Sequence, residues 1–340
     1  MRVRRLPVLL MLGAAALSMA AAACGDDDST STPTAAATTA AASASAATSS
    51  ATSANTQAAT TYPLKVTDLL GREVEIKAKP KTIVAMSPTA TEFVYAAGGT
   101  VVGRTETATY PEAAKSAKSI GNAYQPSMET VLSLKPDLIV ADSVFDAQPQ
   151  LKSAIEALNV PTIFAGADSY QKVIDGLNLV GKVLDSKATT DRVIADVTKA
   201  RDDAKAAITG KKVSAVALIA DQNQVLYAAK DNSYAGDIMK QVGITNPAAG
   251  EPDSGPFPGY TTLAPEKLVQ FNPDYIFTIT PAPQPVPRLS TLLPQIPPFK
   301  GLKAVTTPGH VVEAPVELLQ APGPRIIEAF QALQKAVAGQ

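Results

Sequence analysis

The sequence predicts an α/β protein of two lobes joined by one long helix. Three observations carry that prediction. Short apolar runs alternate with amphipathic helical stretches on both sides of residues 170–210, the pattern of parallel sheets covered by helices on both faces. Residues 170–210 themselves hold no strand signal. One phrase also occurs twice, as METVLSLKPDLIVA (Met128 to Ala141) and PEKLVQFNPDYIFT (Pro265 to Thr278). Each copy has a Glu, a short apolar-periodic run, Pro-Asp seven residues after the Glu, then a strand-like run.

The chain has 340 residues, enough for about two domains. At its start Arg2, Arg4 and Arg5 precede LPVLLMLGAAALSMAAAAC. A basic head, short apolar middle and small-residue tail are the parts of an export signal, here residues 1–23. A single-pass helix is the alternative reading. Cys24, the only cysteine, follows three alanines. A lone cysteine in an exported chain has no internal disulfide partner and needs another reason. AAAC resembles a bacterial lipobox, in which the thiol is lipidated and becomes the first mature residue. The usual Leu three places earlier is Ala21 here, and a free thiol on an uncleaved tail is the alternative. An acyl chain would hold the protein on a membrane with about 0.8 kcal/mol per buried methylene.

Removing residues 1–23 takes away three arginines and no acid, so the formal charge of −1 becomes more negative by three. Nothing here would replace the condensed counterions of a nucleic acid, which is excluded as a partner. From Gly25 to about Thr61 the chain is Asp, Ser, Thr, Ala and little else. Such a stretch buries too little apolar surface to offset its ordering entropy. Residues 24–61 are expected to be a disordered tether that spans roughly 35 Å as a coil.

Folded sequence begins at Tyr62. Two short strands around a Gly71 turn, closed by Pro80, open a first lobe expected over 62–167. TIVAMS (Thr82 to Ser87) is a continuous apolar strand of the kind buried on both faces. PTATEFVYAAGG is a helix with Ser or Thr at its start and Gly at its end. VVG, a helix near Pro111, METVLSLK, LIVA, the helix LKSAIEALN and TIFAG continue the alternation. In the connector, 168–211, Val193, Ile194, Val197, Ala200, Ala204, Ala207 and Ile208 recur at three and four, one apolar face of a long helix over 188–210. In the second lobe, 212–340, VSAVALIA, the helices YAGDIMKQVG and PEKLVQF, YIFTIT, HVVEAP and a last helix from Pro324 repeat the scheme. The repeated phrase falls at the same place in each lobe, and Pro136 and Pro273 stop its helix.

YPLKVTDLLGREVEIKAKPKTIVAMSPTATEFVYAAG, VVGRTETATYP and IGNAYQPSMETVLSLKPDLIVA resemble the bacterial periplasmic binding proteins for cobalamin, haem and iron–siderophore complexes. SYAGDIMKQVGITNP, APEKLVQFNPDYIFT, FKGLKAV and APGPRIIEAF resemble the same family in the same order, so the likeness covers nearly all of 62–340. It implies two Rossmann-like lobes on a rigid helical connector, a ligand in the cleft between them, and delivery to an ABC importer.

Glu129 and Glu266 each fall in the first turn of a helix, where the macrodipole favours a carboxylate by about 0.3–1 kcal/mol. That alone would explain both. The resemblance implies more: each Glu projects from its lobe tip and pairs with an arginine of one permease subunit. Ser87 and Thr89 sit where a strand turns into a helix, a place for a helix cap or for ligand contact. Arg104, Tyr110 and Tyr124 lie in loops that the resemblance turns to the cleft, and Tyr227, Tyr234, Tyr260 and Arg288 are expected in second-lobe loops facing the same gap. Tyr offers a flat apolar face with a polar tip. His310, the only histidine, reads as a turn residue in TPGHVV. One histidine and one lipidated cysteine cannot build a zinc site of several imidazoles or thiolates. No catalytic constellation or cofactor motif assembles, so no enzyme, cofactor or protein-built metal site is expected. The reading is a monomeric, extracytoplasmic, lipid-anchored binding protein that hands a metal chelate or tetrapyrrole to an ABC permease dimer and its ATPase subunits. A ligand-binding module of a membrane signalling receptor is the alternative.

Overall fold

The structure, a computed structural model, describes residues 60–142, 145, 148–166, 168–221, 223–280, 285–315 and 322–339. The expected export signal, Cys24 and nearly all of the tether lie outside the described residues. The hairpin β1 (Leu64–Thr67) and β2 (Glu73–Ile76) turns through Gly71 at φ 77°, a backbone angle open to glycine. Then follow β3 (Ile83–Ala85), α1 (Pro88–Ala96), β4 (Gly103–Arg104), β5 (Lys118–Ser119), β6 (Gly121–Asn122), β7 (Gln125–Pro126), α2 (Met128–Ser133), β8 (Leu138–Ala141), α3 (Pro149–Glu156) and β9 (Thr162–Phe164). The expected helix near Pro111 is a 3-10 turn, Glu112–Ser116. Five strands form an all-parallel sheet in the order β5-β4-β3-β8-β9. Every residue of β3, β8 and β9 is buried, as strands covered on both faces must be.

Two helices make the connector, α4 (Tyr170–Val183) and α5 (Lys187–Ile208). The long helix expected from the apolar spacing is α5, and its 22 residues run about 33 Å. Val197, Ala204 and Ile208 are buried, and Val193, Ile194 and Ala200 pack on the same core. The chain breaks between the helices at Asp185, which takes φ 53°. Gly181 of α4 lies against Thr190 of α5 so closely that a Cβ would stand 2.2 Å from the threonine Oγ1. The Gly181 backbone therefore packs directly on the Thr190 side chain.

The second lobe holds β10 (Ala215–Ala220), β11 (Leu226–Ala229), α6 (Tyr234–Gln241), β12 (Tyr260–Thr262), α7 (Pro265–Phe271), β13 (Tyr275–Ile279), α8 (Leu289–Leu292), α9 (Lys303–Thr306), β14 (Val311–Glu313) and α10 (Ile326–Ala338). Its sheet runs β12-β11-β10-β13-β14 and is mixed: β10, β13 and β14 are parallel, while β11 opposes both of its neighbours. This corrects the expectation that β10 feeds a helix. Asp221 accepts from the N–H groups of Asn223 (2.8 Å) and Val225 (2.9 Å), and Gln224 takes φ 63°. That side-chain-to-backbone turn sends the chain straight back as β11.

One hydrophobic cluster runs unbroken from β3 and α1 through α4 and α5 to β10, α6 and α10. α5 packs on α1 from the first lobe and on α10 from the second. A shared, close-packed core of this kind resists shear between the lobes.

Candidate functional site

The repeated phrase has the same atomic plan in both lobes. α2 is capped by Ser127, whose Oγ accepts from the Thr130 N–H at 3.1 Å, and α7 carries Pro265 in its first turn. Glu129 and Glu266 lie in those first turns and are exposed. Each helix closes on a left-handed residue directly before the proline, Lys135 at φ 50° and Asn272 at φ 40°. The aspartates that follow then reach the neighbouring strand. Asp137 accepts from the N–H groups of Lys81 and Thr82 at 2.9 Å each, at the head of β3. Asp274 accepts from the Ser214 N–H (2.8 Å) and hydroxyl (2.9 Å), at the head of β10. Burial raises the pKa of Asp274, but hydrogen bonds from Lys303 and Ser214 outweigh it and hold the carboxyl below its usual value. Pro-Asp thus fixes strand order, and the glutamate takes no part in that task. The sequence reading attributed no role to these aspartates.

Ligands of open α/β sheets gather beyond the carboxyl ends of the strands. At the end of β3, Ser87 Oγ accepts from the Ala90 N–H at 3.0 Å, so Ser87 caps α1. Ser87 and Thr89 are both buried. Arg104, at the end of β4, donates from Nε to the Ala114 carbonyl (3.0 Å) and from Nη1 to those of Thr105 (2.9 Å) and Glu106 (3.0 Å). It shapes the loop that carries Tyr110, which is 48% exposed. The Tyr110 ring meets the second lobe, with the Arg325 guanidinium 4.5 Å from its centroid. Arg325, at the start of α10, donates at 2.6 and 3.0 Å to Glu92 of α1. The Glu92 side chain is 2% exposed and that of Arg325 19%. Tyr110, Arg325 and Glu92 therefore form one contact chain between the lobes. Sequence reasoning missed Glu92 and Arg325. The available signal was an acid inside a run of otherwise buried helix, Thr89 to Val94.

The sequence profile of the family described as Periplasmic binding protein matches residues 83–317. The chain belongs to this family. Its members bind solutes and are not enzymes. Among curated relatives, the uncharacterized ABC transporter substrate-binding lipoprotein YvrC of Bacillus subtilis is 25% identical over 294 residues, 83% of this chain and 87% of that protein. The probable siderophore-binding lipoprotein YfiY of Bacillus subtilis is 28% identical over 58% of this chain and 61% of its own length. Among solved structures, the petrobactin-binding protein YclQ from Bacillus subtilis superposes with a TM-score of 0.70 at 17% identity, covering 81% of this chain and 98% of that one. Periplasmic binding proteins work outside the cytoplasm. Among the described residues, no helix is long and apolar enough to cross a membrane.

In this periplasmic binding protein the second-lobe tyrosines are not loop residues, which corrects the expectation. Tyr227 lies in β11, Tyr234 opens α6 and Tyr260 opens β12, each buried to 9% exposure or less. Tyr227 donates to Asp221 at 3.2 Å, and burial with that carboxylate pushes its phenol pKa up. Burial raises that of Tyr260 as well. Phe257 packs edge-on to both, with centroids 5.2 and 6.1 Å away. Arg288 starts α8 and donates to the Thr280 carbonyl at 3.2 Å. His310 stacks on Tyr275 at 3.9 Å, at the head of β14 and so at the far end of the sheet from the strand tips. Tyr124, 70% exposed, tips the β6–β7 hairpin. It borders a groove of about 700 Å³ with Pro126, Met128 and Leu151, beside the Glu129 helix. A second hollow, about 560 Å³ and lined by Ala220, Val225, Pro265, Leu292 and Phe299, lies beside the Glu266 helix.

Proposed function

We propose that this protein is the substrate-binding lipoprotein of an ABC importer. It captures an iron–siderophore complex, or haem or cobalamin, in the interlobe cleft and delivers it to the permease. The observation that carries the reading is the matched pair Glu129 and Glu266, exposed in first turns of equivalent helices, one per lobe. A binding protein with one acidic tip per lobe suits a transporter with two like halves. The permease then needs a cation on each half, and the protein acts as a monomer. Tyr110 and Tyr124 are the exposed aromatic surfaces for the ligand, and Arg104 and Arg288 hold the loops around it.

Anchoring fits the same picture. The Thr60 N–H donates to Asp185 at 2.7 Å and the Tyr62 hydroxyl to the Val183 carbonyl at 2.8 Å. These bonds root the tether at the elbow between α4 and α5. An acyl group on Cys24 would hold the other end at the membrane. The siderophore in the name of the relative YfiY supports a metal chelate as the cargo.

The test is a titration of the purified protein with ferric siderophores, haem and cobalamin, followed by absorbance and tyrosine emission. One saturable one-to-one complex is expected. Saturation by none of them contradicts the reading. Cys24→Ser is expected to release the protein from the membrane fraction; an unmodified thiol on an uncleaved chain would overturn the anchor.

A further inference from the structure

We infer that each of the two exposed glutamates is half of a mixed contact, and that each half of the permease presents to it a cationic side chain with an apolar one beside it. This rests on the delivery reading above and adds the chemistry of the partner surface. The two copies of the repeated phrase agree in exposure, residue by residue, from Glu129 to Lys135 and from Glu266 to Asn272. The second residue after each glutamate, Val131 or Leu268, is fully buried and fixes its helix to the lobe. The third, Leu132 or Val269, is 49% or 43% exposed. Residues three or four apart are neighbours on a helix surface, so each carboxylate has an exposed aliphatic side chain one turn on. The residue before each glutamate, Met128 or Pro265, stands four before that aliphatic and extends the row. Met128 lines the first-lobe groove with Leu151 of α3, and Pro265 lines the second-lobe hollow with Leu292 of α8. Each glutamate therefore stands at the edge of an apolar strip, once per lobe.

A single exposed Leu or Val needs no explanation. The same exposure at the same step of both copies does. Val131 and Leu268 already serve the core, so a polar residue at the next position would fold as well. Among the described residues neither glutamate has an ion-pair or hydrogen-bond partner. The occupant follows from charge. A second copy of this chain set tip to tip would bring glutamate against glutamate, and an anionic lipid surface would meet the same acids. Like charges so placed repel. A cation on the permease meets the carboxylate instead, and an apolar side chain beside it covers Leu132 or Val269. The contact then has two parts with different salt behaviour. Attraction between exposed charges is screened by salt. Removal of apolar surface from water is not an attraction between charges and survives it.

The experiment titrates the protein, purified as the cell processes it, against the detergent-solubilised ABC permease–ATPase complex with which it supports cargo uptake when the two are expressed together. Binding is read by surface plasmon resonance at about 0.15 M and about 1 M NaCl. Parental docking is expected to weaken with salt and to keep a salt-resistant remainder. Leu132→Gln with Val269→Gln should weaken docking about fivefold or more at both salt concentrations, with cargo affinity and thermal midpoint as in the parent. Glu129→Gln with Glu266→Gln should instead flatten the salt dependence. If the first double variant does not fold by circular dichroism, Leu132→Ala with Val269→Ala replaces it, since Ala is the strongest helix former. A smaller loss, or parental docking that vanishes in high salt, overturns the inference and leaves docking through the glutamates standing. A parent that binds cargo but docks on no permease complex overturns the delivery reading and this inference together.

Discussion

Arg325 grips Glu92 across the lobes: its guanidinium donates at 2.6 and 3.0 Å to one oxygen of a carboxylate that is 2% exposed. The contact joins α10 of the second lobe to α1 of the first, beside the core that both lobes share. It ties the two lobes to each other directly.

Truncating Arg325 leaves the Glu92 carboxylate buried without its guanidinium. Arg325→Ala is expected to cost about 3 kcal/mol of stability, because breaking a buried pair strands a charge. Urea denaturation measures it. A loss under about 1 kcal/mol would mean that the pair is no better than an exposed salt bridge.

Gly181→Ala tests the helix crossing in the connector. The new methyl would meet Thr190 within 2.2 Å of its Oγ1. Overpacking of this kind costs about 1–3 kcal/mol, and Thr190→Ala in the same chain should recover much of it. A thermal midpoint unchanged by Gly181→Ala would show that α4 and α5 are free to move apart.

Acid should loosen the second lobe. Burial raises the pKa of Glu313, but hydrogen bonds from Thr280, Thr278 and Ser290 outweigh it and hold the carboxyl below its usual value. Asp274 behaves alike. A carboxylate with a depressed folded pKa adds stability that is full above its unfolded value, about 4. That stability is lost as pH falls through the folded value. Thermal midpoints between pH 7 and pH 3 should therefore fall on the acid side, and less steeply for Glu313→Gln with Asp274→Asn. Parallel profiles for parent and double variant would contradict this.

Much of the frame was legible because its signals are local. The apolar run before Ser87, the three-and-four spacing of Val193 to Ile208 and the proline after each repeated helix state their own conformations. β11 and β12 were not legible. Tyr227 and Tyr260 belong to short buried strands without alternation, and their direction follows from the Asp221 turn and from pairing with β10. The site was harder still. Ser87 spends its hydroxyl on a cap and Arg104 spends its guanidinium on carbonyls, and only three-dimensional contacts reveal such commitments. Glu92 and Arg325 lie 233 residues apart, beyond the reach of any spacing argument.

We propose that the phrase written twice serves delivery, one copy for each half of a transporter. Asp137 and Asp274 carry its structural task, which leaves Glu129 and Glu266 exposed for another. The direct measurement compares parent with the double variant Glu129→Arg and Glu266→Arg, for cargo binding in solution and for cargo uptake by cells. Docking through these glutamates predicts unchanged solution affinity and lost uptake, since truncating one partner of a desolvated charge pair costs about 2–5 kcal/mol of association and reversal costs more. Normal uptake by the double variant would contradict it and reduce both glutamates to partners of a helix dipole.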